Sequence, residues 1–245
     1  MTDILPDIRK VTADPRFDGG PVLISCAMVE DEVTCAMKAV GAQIPVIWVD
    51  RGYHNEPTRL RAVLQERIDW AEDRGAKTVL LAFGLCGNGA VGLRTRSATL
   101  AMPRFDDCIN FMLKHGERMQ RGLSKAGVMY LTRGWSQDEA ATVIGLRERY
   151  ALKYGERRAN IIMRHMFEGY KAVSLIDNGC YDVDSVMPIA CATARELGVC
   201  TRVDEGGNEV LEKLLSGRWD DDILVVEPGR ALEQDDFEFE DKRKR

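Results

Sequence analysis

The sequence predicts an α/β protein built as two Rossmann-like lobes with mainly parallel sheets. Three observations carry this. Short apolar runs alternate with helical stretches along almost the whole chain, the pattern of parallel strands joined by right-handed crossovers. The runs are too short for buried helices and are bounded by turn residues. The chain has 245 residues and is 45% apolar, which is ample for a buried core.

The elements follow in order. Residues 1–20 read as a polar, irregular arm. VLISCAMV is a buried strand, DEVTCAMKAV a brief helix and IPVIWVD a second strand. PTRLRAVLQERIDWAEDRG is an amphipathic helix: Pro57 sits at its start, Leu60, Val63, Leu64, Ile68 and Ala71 share a face, and Gly75 follows its end. TVLLAFG and TLAMP are two more strands around a glycine-rich turn, and the second leads to a helix beginning near Asp106 or Asp107.

VMYLTRGW resumes the pattern after Gly127. Ser136 to about Gly169 is mostly helical, with Ser136 and Glu139 spaced as a capping box. KAVSLID, VCTRVD and DILVVEP are strands, with helices at DSVMPIACATARELG and GNEVLEKLLSG. The expected organisation is a first lobe over 21–130, a second over 131–230 and a charged, disordered tail over 231–245.

Charge and hydropathy exclude some function classes. A net charge of -5 argues against nucleic acid, whose phosphates need a basic face. No apolar run approaches the roughly 20 residues that span a bilayer, and the N-terminal stretch is too charged for a signal peptide. A cytoplasmic protein with no membrane partner is expected. Seven cysteines in a reducing compartment are core residues, metal ligands or reactive thiols.

The placement of these residues is informative. Cys26 closes PVLISC, His54 follows VIWVDRGYH, Cys86 lies in LLAFGLCGNG and Cys108 in LAMPRFDDC. All four fall at the carboxyl ends of predicted strands, where parallel α/β sheets bind ligands. Gly84, Gly87, Asn88 and Gly89 resemble a phosphate-cradling turn, though the spacing matches no dinucleotide or P-loop fingerprint. A cysteine presented from such a turn suits a ligand better than a core residue. Cys108 is expected in the first turn of a helix, where the macrodipole favours thiolate. Cys26 reads equally as a core cysteine or a third ligand.

Three thiolates can hold Zn2+, or three irons of a [4Fe-4S] cluster. His54 is a fourth ligand or an acid or base beside the metal; the other reading is a surface-loop histidine. Arg104 and Arg133, each after a strand, are candidates for an anionic group of a small-molecule substrate. Asp177 and Tyr181 flank Cys180 after KAVSLI and can exchange protons. Cys35, Cys191 and Cys200 read as packing residues, and His115 and His165 as solvated.

The stretches LISCAMVEDEV, YHNEPTRLRAVLQERID, FGLCGNGAVGL, MPRFDDCI, YLTRGW, LIDNGC, EGGNEVLEKLLSGRWD and VVEPG resemble, in order, a family of proteins of unknown function. The resemblance implies that Cys26, His54, Cys86 and Cys108 are motif positions. Many relatives have His where this chain has Asp106, so no role is placed there. It also implies a setting beside corrinoid-dependent methyltransferases of methylated compounds, with corrinoid proteins and folate-linked enzymes. The expected function is therefore a metal-binding enzyme of one-carbon or methylated-amine metabolism, a transferase or lyase, that transfers methyl groups or supports a corrinoid system. The alternatives are a metal-free binding or chaperone module for a corrinoid protein or methyltransferase, homo-oligomeric or not, and a cysteine-nucleophile enzyme with His54 as base.

Overall fold

The computed structural model describes residues 17–114, 126–137 and 142–238, without the side chains of 54 and 55. Among the described residues, eight strands form two sheets. β1 (Pro21–Cys26), β2 (Val46–Val49), β3 (Thr78–Ala82), β4 (Thr99–Pro103) and β8 (Ile223–Val226) make a five-stranded sheet of order β2-β1-β3-β4-β8. β5 (Val128–Leu131), β6 (Ala172–Asp177) and β7 (Cys200–Glu205) make a three-stranded parallel sheet in sequence order. The α/β class and the mainly parallel pairing are as the sequence predicts; β8 alone runs antiparallel, against β4.

The chain divides into two units, one of residues 1–111 with 208–245, the other of residues 112–207. This changes the organisation expected from the sequence. DILVVEP does form a strand, but β8 completes the first sheet instead of the second. The expected 131–230 lobe thus loses its last helix and strand to the first unit, and the second unit is an insertion in the first. A four-residue apolar strand carries no information about which edge it will pair with.

In the first unit, β1 is buried from Val22 to Cys26, because apolar residues face both layers. α1 (Glu30–Val40) ends at Gly41 in the left-handed region, and α2 (Pro57–Asp73) starts on Pro57. α2 buries Leu60, Leu64, Ile68 and Ala71 as its spacing predicts, with Arg67 between them. α8 (Glu209–Ser216) buries Val210, Leu211, Leu214 and Leu215 and packs on α1. The helix expected after β4 is only α3 (Cys108–Met112).

The second unit holds α4 (Arg133–Ser136), α5 (Val143–Tyr154), α6 (Glu156–Met166) and α7 (Met187–Leu197). Gly155, at φ +79°, divides the expected mostly helical stretch into α5 and α6. The expected capping box does not form at Ser136, whose hydroxyl donates to the Arg133 carbonyl at 2.7 Å; Glu139 lies outside the described residues. Trp135 packs against the cluster of Leu131, Val173, Leu175, Val186, Ala190 and Ala194.

Both chain ends are more ordered than expected where they are described. Phe17 is buried edge-on against Trp70, their ring centroids 5.9 Å apart. Leu232 and Phe237 are buried, and Gln234–Phe237 form a 3-10 turn, so the tail assigned to 231–245 is anchored at least to Glu238. Apolar side chains within that charged segment override its composition.

Candidate functional site

The strand order β2-β1-β3-β4 creates the first condition for a site. From β1 the chain moves outward to β2, then returns across β1 to build β3 on its other side. The crossovers on either side of this reversal cover opposite faces, so a crevice opens between the carboxyl ends of β1 and β3. Cys26 is the last residue of β1 and Cys86 lies four residues beyond β3. Cys108 follows the end of the next strand, β4.

Backbone contacts lock the two later loops together. The Leu85 N–H donates to the Phe105 carbonyl and the Cys86 N–H to the Asp106 carbonyl, both at 2.8 Å. Only a glycine fits at 84: a Cβ there would stand 2.6 Å from Asp107 Cα and 2.8 Å from the Phe105 oxygen. The chain then takes three successive left-handed residues, Cys86 (φ 48°), Gly87 (φ 62°) and Asn88 (φ 70°). Cysteine seldom adopts this region, and such strain persists only where surrounding structure enforces it.

Other groups of the turn make structural contacts. The Asn88 carbonyl accepts from the Arg61 guanidinium at 2.8 Å, and a Cβ on Gly89 would meet Leu60 Cδ2 at 3.0 Å. Gly84, Gly87, Asn88 and Gly89, expected to cradle a cofactor, thus shape and fasten a loop that presents Cys86.

The three thiols share one electrostatic environment. Burial pushes the Cys26 thiol up to about 11, against hydrogen bonding from the Met28 N–H at 3.4 Å and the Arg51 charge. Burial likewise pushes Cys86 up to about 12; the Cys26 charge adds to this, and the backbone of Gly84 and of Cys108 opposes it. Cys108 is raised well above the usual thiol value, first by burial and then by the charges of Cys86, Cys26, Asp107 and Glu32.

Sequence reasoning expected a helix dipole to favour thiolate at Cys108. Instead α3 has five residues, too few for a strong dipole, and desolvation wins. Asp107 caps that short helix, accepting from the Asn110 N–H at 2.8 Å and from its side-chain amide at 3.1 Å. Burial raises the Asp107 carboxyl against those bonds.

His54 lies in the 3-10 turn Arg51–Asn55 that follows β2; its side chain, and His115, lie outside the described residues. Arg104 donates its backbone N–H to the Asp222 carbonyl at 2.8 Å. Arg133, Asp177 and Tyr181 belong to the second unit. Arg133 opens α4, Asp177 accepts from the Gly179 N–H at 3.3 Å, and the Tyr181 hydroxyl donates to the Ile176 carbonyl. The last two interactions fasten the turn after β6. Cys191 and Cys200 are exposed, so the expected packing role does not hold for them, and His165 is exposed beside Glu168 as expected.

Two residues that sequence reasoning passed over stand beside the thiols or next to a residue that does. Glu32 is fully buried on α1, on the stripe of Val29, Val33 and Ala36, and its charge reaches Cys108. Asn208, also buried, donates its side-chain amide to the Glu32 carbonyl at 2.7 Å. A glutamate in phase with an apolar stripe is the signal that would have found the first. No local signal marks Asn208, which stands at the start of a helix.

Among the described residues, no group of three His, Cys, Asp or Glu side chains is placed to hold a metal ion. The donor types suit a soft metal: buried Cys26 and half-buried Cys86 and Cys108 act electrostatically on one another and with the carboxylates of Asp107 and Glu32, with Arg51 acting on Cys26. No helix among the described residues is long and apolar enough to cross a membrane. The profile of the family described as "Protein of unknown function (DUF1638)" matches residues 48–215, well over half of the chain. No curated protein and no solved structure matches.

Proposed function

We propose that this chain, which belongs to the DUF1638 family, is a metal-binding protein whose Cys26, Cys86 and Cys108 hold one zinc ion or iron–sulfur cluster. The observation that carries the reading is that Cys26 and Cys86 bracket the switch point of the first sheet, with Cys108 on the adjoining strand. Desolvation, joined at Cys86 and Cys108 by the charge of neighbouring thiols, keeps the three thiols protonated without a cation. A bound metal reverses that balance, because it deprotonates the thiols that coordinate it. His54, in the turn after β2, is the fourth ligand or a proton donor at the same sheet edge.

Zinc held by thiolates supplies a Lewis acid that activates a nucleophile, whereas an iron–sulfur centre supplies an electron. On this reading the chain is a cytoplasmic transferase or lyase of one-carbon or methylated-amine metabolism. It acts on a small molecule beside a corrinoid protein or methyltransferase, the setting that the sequence resemblance suggests. Its own residues bind, orient and shield the centre: Gly84 lets the Cys86 loop close on Asp107, and Asp107 fixes the start of α3. The cysteine-nucleophile alternative is disfavoured, because a reactive thiol needs a depressed pKa and burial raises all three.

Metal analysis of the full chain purified with and without oxygen tests the proposal. The expected result is one centre per chain, lost in C86A and C108A and retained in C35A; brown colour selects iron–sulfur over zinc. Absence of both metals from both preparations, with C86A indistinguishable from the parent, overturns it. Co-purification of a corrinoid protein with that metal-free chain would favour a binding module instead.

A further inference from the structure

Where α5 turns into α6, the seven successive residues 152–158 are all exposed. The two helices pack on each other as a hairpin, and α5 packs also on α7. Gly155 makes the reversal, at φ +79° and with open space around its missing Cβ. The pair buries little: Val143 on α5, and Ala159 and Met163 on α6. Its tip therefore stands out from the second unit into solvent.

The tip exposes apolar and cationic side chains together. Leu152 is 89% exposed and Tyr154 40%, and Ile161, further along α6, is 49% exposed. Lys153, Arg157 and Arg158 stand among them. Arg149 precedes Leu152 by three residues and Arg164 follows Ile161 by three, so each aliphatic side chain shares a helix face with a cation. The one acid of the tip, Glu156, is held by Arg147 at 2.7 Å, and Arg147 also meets Glu196 at 2.9 Å. Among the described residues, Arg149, Arg157, Arg158 and Arg164 have no such partner. Residues 143–166 carry six Lys and Arg against two Glu, a net charge of +4 within a chain of net -5. Positive charge is thus gathered here against the sign of the whole molecule.

Such a tip fits a surface that is anionic outside and apolar just beneath, which is what a bilayer with acidic headgroups offers. A protein partner fits less well: a specific interface needs about 800 Å2 and about 20–30 residues from each side, far more than this tip supplies. Two such hairpins meeting face to face would oppose like charges. Nucleic acid offers phosphates but nothing to cover Leu152. The expectation of no membrane partner concerns spanning segments, and adsorption through a tip needs none. We infer that the α5–α6 tip docks the protein on an anionic lipid bilayer. Leu152 and Tyr154 enter the boundary between headgroups and acyl chains, and Lys153, Arg157 and Arg158 meet the lipid phosphates and carboxylates. No cysteine takes part, so the inference stands apart from the thiol site.

The test is co-sedimentation of the full chain with vesicles of equal parts phosphatidylcholine and phosphatidylserine, and with vesicles of phosphatidylcholine alone. The parent should bind the mixed vesicles more than about tenfold more tightly, and added salt should weaken that binding. R157Q/R158Q should lose about 25-fold, at about fivefold for each cation near the surface. L152S should lose about tenfold, for the partial burial of one leucine. R218Q, at an exposed arginine outside the hairpin, should bind as the parent does. Amide exchange in the parent needs no substitution: residues 152–158 should slow on the mixed vesicles, and unchanged exchange there overturns the inference. Equal binding to both vesicles overturns it, as does binding that survives undiminished in L152S or in R157Q/R158Q. A lipid-free dimer that L152S abolishes also overturns it, assigning the tip to a second copy. Tighter retention by duplex DNA than by the mixed vesicles overturns it in favour of nucleic acid.

Discussion

Replacing Gly84 by alanine tests whether close approach of two loops holds Cys86 in place. The new Cβ would lie 2.6 Å from Asp107 Cα, 2.7 Å from Asp107 N and 2.8 Å from the Phe105 oxygen. All three are backbone atoms, so no side chain can swing aside and the loops must separate by several tenths of an ångström. Overpacking of this kind costs about 1–3 kcal/mol. The two bonds that join the loops, from Leu85 N–H to Phe105 and from Cys86 N–H to Asp106, are both 2.8 Å long and break or lengthen together. At about 1 kcal/mol each, their loss brings the expected cost of G84A to about 3–5 kcal/mol. Urea unfolding followed by tryptophan fluorescence measures the total, and hydrogen exchange at the Leu85 and Cys86 amides localises it. G198A is the comparison: Gly198 has open space around its missing Cβ but φ +68°, so the cost there is the left-handed backbone alone, about 1–2 kcal/mol. A G84A shift of less than about 0.5 kcal/mol with unchanged Leu85 and Cys86 protection would refute the argument.

Further outcomes follow from burial and charge. In metal-free protein at pH 8, iodoacetamide should label the exposed Cys191 and Cys200 well before Cys26, Cys86 and Cys108; equal labelling in timed mass spectra would contradict the raised pKa and lesser exposure of these three thiols. Because the folded values of Cys26 and Cys86 lie above 9.0, these groups favour folding below pH 9.0 and their contribution is lost as pH rises toward about 11 and 12. Unfolding midpoints of C26A and C86A should therefore fall less between pH 8 and 10 than the parent's does. The Glu72 carboxylate is desolvated, yet the N–H groups of Arg96, Ser97 and Ala98 and the Arg96 side chain outweigh this and lower its pKa from 4.5. Its contribution is present above pH 4.5 and fades as pH falls through the lowered value, so E72A should cost about 1.5–3 kcal/mol at pH 7 and progressively less in acid. An E72A penalty independent of pH in thermal melts would show that packing, not charge, sets it.

How far the sequence reveals this fold depends on whether a signal is local. α2 is legible because Pro57, a repeating apolar face and Gly75 all act within a few residues. β1, β3, β4 and β6 are legible because a strand buried on both faces must be continuously apolar. The partner of β8 is not. Ile223–Val226 would look the same on either sheet, and its pairing with β4 depends on the chain returning at Asn208 after an inserted unit. The charged end misled for a related reason: Leu232 and Phe237 anchor it although they stand among acids that suggest a solvated tail.

The same distinction applies at the site. Strand ends and a glycine turn brought Cys26, Cys86 and Cys108 forward, because each signal is written beside its cysteine. What makes the cysteines a group is strand order, which turns Cys26 and Cys86 into neighbours across a switch point and is not encoded near either residue. Glu32 and Asn208 meet across 176 positions of sequence, and the Asn208 cap position concealed a side chain engaged elsewhere. The pKa of Cys108 reverses its local signal outright: a helix start argues for thiolate, and burial among Cys86, Cys26, Asp107 and Glu32 argues more strongly against it. That reversal separates the two thiol chemistries open to the chain. A nucleophile must ionise unaided near neutral pH, whereas a ligand can stay protonated until a metal arrives and displaces the proton.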